Sequence, residues 1–103
     1  MAAKNRRHAD EDQMVAIADW ICDCEQTYGC KVRVILSGPI AAGRATVRVE
    51  ACDLVGERIV GVRVRRRTSY PNSRATSLCG AVLFELIQLH KDLDDYQAFC
   101  SPA

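Results

Sequence analysis

The chain contains few aromatic residues, few histidines and no long apolar run. Phe, Trp and Tyr together make up 6% of its 103 residues, and it has two histidines. No stretch approaches the roughly 18 apolar residues that a membrane-crossing helix needs. The first twelve residues are polar and lack the apolar run of a signal peptide. We therefore expect a protein of the cytoplasm that does not associate with a membrane.

No motif for catalysis or metal binding stands out either. The chain has six cysteines, which without a secretion signal are expected to be reduced thiols that pack as small apolar side chains. Cys22 and Cys24 lie two positions apart on a predicted helix and would point about 200° apart, unlike the C-x-x-C knuckles of zinc sites. His8 and His90 have no cysteine or serine beside them. We expect no enzyme activity, no metal and no cofactor.

The periodicity of apolar residues predicts two helices around three strands. Apolar positions recur every three or four residues over 10–29 and again from Arg74 to about Leu93. Residues 30–36, 44–52 and 58–65 alternate between apolar and polar side chains, as half-buried strands do. The predicted architecture is a two-layer α+β fold of order α-β-β-β-α, with the two helices packed on one face of a three-stranded antiparallel sheet.

The predicted boundaries give one domain, in line with the length of the chain. It covers residues 10–93, between a flexible basic arm at 1–9 and a C-terminal tail at 94–103. Asp10 and Gln13 form a capping box at the predicted start of the first helix, and Gly29 ends it. The second helix is apolar on more than one side, so it is covered by the sheet together with either the first helix or a second copy of the protein. A homodimer through this helix is therefore one alternative.

Charge is segregated along the chain, although the formal net charge is only +1. Residues 10–29 carry six acids and no base, whereas residues 30–67 carry nine bases and three acids. With Val60, Val62 and Val64 facing the helices, the strand arginines would line the opposite face of the sheet. The candidate binding residues on or beside this face are Arg33, Arg48, Arg63, Arg65, Arg66, Arg67 and Arg74.

A clustered basic face is typical of proteins that bind nucleic acid or an acidic protein surface. Arginine favours both partners because its planar guanidinium donates paired hydrogen bonds to phosphate and carboxylate. The same arginines could also be an ordinary solvated face. The predicted face has no aromatic residue, which argues against stacking of single-stranded bases. We expect a non-enzymatic binding module whose partner is nucleic acid.

The element order, together with Gly38-Pro39 in the loop after the first strand, resembles the double-stranded RNA-binding domain. The resemblance covers residues 10–93 and implies phosphate contacts at the N-terminal end of the second helix. The sequence departs from that family at Ala41, where the family has a histidine, and in the single base, Arg74, at the start of the second helix. The alternative function is a small viral or mobile-element accessory protein that binds and inhibits a host protein or nucleoprotein complex.

Overall fold

The computed structural model describes residues 2–38, 44–70 and 78–100, with side chains from residue 11 onward. The elements are α1 (Ala2–Tyr28), β1 (Lys31–Ser37), β2 (Ala45–Val55), β3 (Arg58–Tyr70) and α2 (Leu78–Cys100). The strands form one antiparallel sheet in the order β1-β2-β3. The predicted α+β class and the order α-β-β-β-α are therefore confirmed.

Both helices extend beyond their predicted ends. α1 begins at Ala2, so the backbone of the predicted arm at 1–9 is helical from residue 2, and Asp10 is not the cap. Alanine, lysine and arginine are strong helix formers, and neither glycine nor proline interrupts this segment. α2 continues to Cys100 through most of the predicted tail, a segment that also lacks glycine and proline up to that residue. Gly29 has a φ of 61° and its N–H donates to the Glu25 carbonyl at 3.0 Å, which confirms the predicted end of α1.

The core lies between the two helices and one face of the sheet. β2 contributes the buried residues Val47, Val49 and Ala51, whose alternation was predicted correctly. The remaining buried apolar residues come from β1 and from both helices, and they include Val32, Cys24, Val82, Leu86, Leu89 and Leu93. α1 packs along α2. The sheet and α1 thus cover the apolar stripe of α2 within a single chain, and dimerisation remains a prediction.

The apolar pattern of β3 does not follow the prediction, because the pairing with β2 shifts register twice. The shifts leave Arg63 and Val60 without a residue opposite them on β2. Each extra residue is a β-bulge, which moves the alternation of side chains by one position. Val64 still packs against the core. Val60 and Val62 are 57% and 38% exposed, so the prediction that they face the helices is wrong.

Candidate functional site

The face of the sheet that is turned away from both helices, the open face, is organised around Glu50 on β2. Arg33 on β1 and Arg65 on β3 lie directly opposite Glu50 across the sheet. Arg33 Nη2 donates to Glu50 Oε1 at 2.9 Å, and Arg65 Nε donates to Glu50 Oε2 at 2.5 Å. Arg48, two residues before Glu50, adds an ion pair at 3.7 Å. Three arginines from three strands thus converge on one carboxylate.

These groups differ sharply in exposure. The Glu50 side chain is 1% exposed, whereas those of Arg33, Arg48 and Arg65 are 42%, 40% and 54% exposed. Burial by itself raises the pKa of Glu50, but hydrogen bonds and charge from Arg65 and Arg33 outweigh burial, so its pKa is lowered. The carboxylate is therefore ionised at neutral pH. From its buried position it accepts hydrogen bonds from Arg33 and Arg65 and forms an ion pair with Arg48.

A fourth arginine completes this group. Arg67 on β3 lies opposite Arg48 on β2 and is exposed, and its side chain has no ion pair or hydrogen bond among the described residues. We call Arg33, Arg48, Arg65 and Arg67, with Glu50 between them, the arginine cluster. Its four guanidinium groups and one carboxylate leave a net charge of +3. Such a surface can bind phosphate or carboxylate groups through several donors at once.

Arg63 does not join the cluster. Its Nε donates to Asp53 at 2.7 Å, and its Nη1 donates to the carbonyl oxygen of Tyr28, the last residue of α1, at 2.8 Å. The bulge at Arg63 turns its side chain toward the end of α1, where it is 20% exposed. Arg63 therefore satisfies a helix carbonyl and joins β3 to α1, and its predicted place on the basic face is wrong.

Arg66 also lies on the helix side of the sheet. It pairs in register with the core residue Val49, and its Nη1 contacts Asp92 on α2 at 3.1 Å. Its Nε lies 3.6 Å from the fully buried carboxylate of Glu85, which also accepts a hydrogen bond from Tyr70 at 3.1 Å. Burial and this hydrogen bond raise the pKa of Tyr70 to about 12. Arg66 thus links β3 to α2 and is not available to a partner on the open face.

The remaining predicted positions fall outside the described residues. These are Arg74, with the start of the second helix, and Pro39 to Ala41 in the loop after β1. The alternation of β2 predicts that Glu50 lies on the open face, but it does not predict that this carboxylate is buried among the arginines. The signal that predicts this role is that Glu50 is the only acid between Lys31 and Cys52, where every other charged residue is basic.

A second polar group joins the two helices. The His90 ring on α2 lies edge-on between the rings of Trp20 and Tyr28 on α1, with centroid distances of 5.4 and 5.3 Å. Its Nε2 is 3.3 Å from Asp23 and its Nδ1 is 3.6 Å from Asp94. Tyr28 donates a hydrogen bond to Asp94. Burial is the main cause of the raised pKa of Tyr28, and this hydrogen bond raises it further. The carboxylates of Asp23 and Asp94 lie at opposite nitrogens of the His90 imidazole. These contacts connect α1 to α2.

The cysteines are unpaired in the structure, and they differ in environment. Cys24 and Cys30 are buried, and burial raises the pKa of both thiols, that of Cys24 to about 11. Cys22 is exposed on the opposite side of α1, as the helical geometry predicts. Among the described residues, no group of three or more His, Cys, Asp or Glu side chains could hold a metal ion.

Comparison with known proteins gives no further guidance. No protein-family model, curated protein or solved structure matches the chain. Over the part of the chain that the structure describes, neither helix is long and apolar enough to cross a membrane. The function must therefore be inferred from the arginine cluster.

Proposed function

We propose that the arginine cluster binds an anionic partner without catalysing a reaction, and that this partner is nucleic acid contacted through its phosphates. The observation that supports this proposal is the arrangement around Glu50. One buried carboxylate holds guanidinium groups from three strands on a single exposed face, where the net charge remains positive.

The ion pairs with Glu50 prepare the cluster for binding. Arg33 and Arg65 are already fixed by hydrogen bonds in the free protein, so less side-chain entropy is lost when they meet a phosphate. Arg48 and Arg67 lie directly opposite each other on neighbouring strands. Like charges in this position repel. A phosphate between these two guanidinium groups would remove that repulsion, which favours an anion at this point of the sheet.

The chemistry of the open face favours phosphates over bases. Tyr70 is the only aromatic residue in the three described strands, and its hydroxyl donates to Glu85 on the helix side. Single-strand binders usually stack bases on aromatic side chains of the sheet, and no such side chain is available here. We therefore propose a duplex as the partner. Duplex RNA is tested beside duplex DNA because the element order resembles that of the double-stranded RNA-binding domain, but the phosphate contacts implied by that resemblance lie at the second helix and not at the arginine cluster.

Arg67 offers the sharpest test, because its side chain has no partner among the described residues, so its replacement breaks no ion pair that they form. Arg67→Ala should weaken binding to labelled duplex RNA several-fold and reduce the slope of log affinity against log salt by about 1. The measurement is fluorescence anisotropy between about 50 and 200 mM salt, with duplex DNA and single strands as comparison ligands.

Arg58→Ala is the matched control. It removes the same charge from the same strand, at an exposed residue nine positions from Arg67, about 30 Å along β3. This variant should bind nearly as well as the unchanged protein. Equal losses in both variants would show that only overall charge matters. Absence of binding to any nucleic acid at about 50 mM salt would refute the proposal, since phosphate contacts are strongest there.

A further inference from the structure

The two edges of the sheet are not equivalent. On β1 the N–H of Val32 donates to Glu25 Oε2 of α1 at 2.9 Å, and Lys31 pairs with the same carboxylate at 3.5 Å. Because β1 borders only β2, this amide is directed away from the sheet, and the Glu25 side chain satisfies it. The edge of β1 is thus partly closed by a side chain from α1.

The edge of β3 is open. β3 is the longest strand, with 13 residues, and it borders only β2. Within the described residues, no backbone N–H or C=O group on its outer side has a hydrogen-bond partner. An exposed strand edge with free backbone groups is a template for another strand. This edge therefore has the backbone chemistry that strand addition requires.

The side chains of β3 divide the open face of this strand into two halves. Near the β2–β3 turn, Ile59 and Val62 are 39% and 38% exposed. Farther along, Arg65 and Arg67 follow on the same face, because they pair with Glu50 and Arg48. A strand laid beside β3 would place its own side chains next to this row. Acidic residues suit the basic half and aliphatic residues suit the apolar half, since opposite charges and apolar pairs stabilise neighbouring strands.

We propose that the outer edge of β3 binds an extended segment of a partner protein by β-strand addition. In the antiparallel direction, this segment carries two acidic residues separated by one position, followed by aliphatic residues. The acids meet Arg67 and Arg65, and the aliphatic residues meet Val62 and Ile59. The backbone hydrogen bonds supply the affinity and the side chains supply the specificity. The proposal concerns the edge of the sheet and does not depend on nucleic-acid binding to the open face.

The test uses the full chain and a blocked peptide, Thr-Glu-Thr-Glu-Thr-Val-Thr-Val, followed by amide hydrogen exchange in NMR spectra. In the free protein, the outward-facing amides of β3 should exchange rapidly while their neighbours bonded to β2 are protected. Adding the peptide should slow these exposed amides about tenfold or more and leave those of β1 unchanged. Binding that shifts the arginine side chains without protecting the β3 amides would overturn the proposal, and so would absence of binding.

Two control peptides and one variant test the required chemistry. A proline in place of the first valine, which lies opposite Val62, removes a backbone N–H that faces β3 and should abolish protection. Lysine in place of both glutamates should also abolish it, and equal protection by the lysine peptide would refute the charge complementarity. The Arg67→Glu variant should no longer bind the acidic peptide and should bind the lysine peptide more tightly than the unchanged protein does. If the unchanged protein binds duplex RNA but not the acidic peptide, this inference fails while the proposed function stands. If it binds the peptide but no nucleic acid, the reverse holds.

Discussion

Replacing Glu50 with glutamine removes the negative charge beneath the arginine cluster and keeps the size of the side chain. Breaking a buried ion pair by removing one partner costs about 3–5 kcal/mol. Here the arginines are 40–54% exposed and can return to water, so solvent screening reduces that cost. The two hydrogen bonds that Glu50 accepts are also weakened. We therefore expect Glu50→Gln to lower the free energy of unfolding by about 2 kcal/mol.

Equilibrium denaturation in urea measures this loss directly. With an m-value of about 1–2 kcal/mol per molar, the unfolding midpoint should fall by about 1–2 M. Glu57→Gln is the matched control, because Glu57 is exposed in the β2–β3 turn and should change stability by less than about 0.5 kcal/mol. Equal stability of the two variants would refute the conclusion that Glu50 is a desolvated and paired carboxylate.

The pH dependence gives a second test of the same residue. The pKa of Glu50 is lower in the folded protein than its ordinary value of 4.5. Its ionised form therefore stabilises the fold above pH 4.5, and this contribution is lost as the pH falls through the lower folded value. Glu50→Gln lacks this contribution, so the gap in stability between the two proteins should shrink below pH 4.5. A gap that stays constant would contradict the lowered pKa.

Two further predictions concern other parts of the fold. Folding raises the pKa of Tyr70 from 10 to about 12, so the stability that its protonated hydroxyl contributes should be lost between pH 10 and 12. Tyr70→Phe should remove this loss in urea titrations across that range, and an unchanged pH profile would count against the bond to Glu85. Iodoacetamide at pH 8 should modify Cys22 at least about tenfold faster than Cys24, because Cys24 is buried and its pKa is raised to about 11. Peptide mass spectrometry measures both modification rates. Comparable rates at Cys22 and Cys24 would contradict the burial of Cys24.

The element order was predictable because each segment repeats its apolar residues with the period of its own structure. The faces of β2 were also predictable, since Val47, Val49 and Ala51 alternate without interruption. β3 has an equally regular pattern at Val60, Val62 and Val64, yet its bulges turn two of these valines to solvent. The bulge at Arg63 depends on contacts with Asp53 and the end of α1, which a local pattern does not contain.

The candidate site was predictable in part for the same reason. Arg33, Arg48 and Arg65 lie on the open face as their alternation predicted. The predicted third strand ends at Arg65, whereas β3 continues to Tyr70 and places Arg66 and Arg67 on opposite faces of the sheet. The place of Glu50 depends on the pairing register of three strands, and register is decided by turns, bulges and long-range contacts that single residues do not reveal.

The contact between Glu25 and the outer amide of Val32 limits how this protein can assemble. A fibre grows by pairing strands at both edges of each sheet, so every unit must offer two free edges. Here the β1 edge is partly closed at the Val32 amide by the Glu25 side chain of α1, which also pairs with Lys31. Strand pairing at the opposite edge should therefore stop after a single addition. Complexes formed in this way would have a fixed one-to-one stoichiometry and would not polymerise.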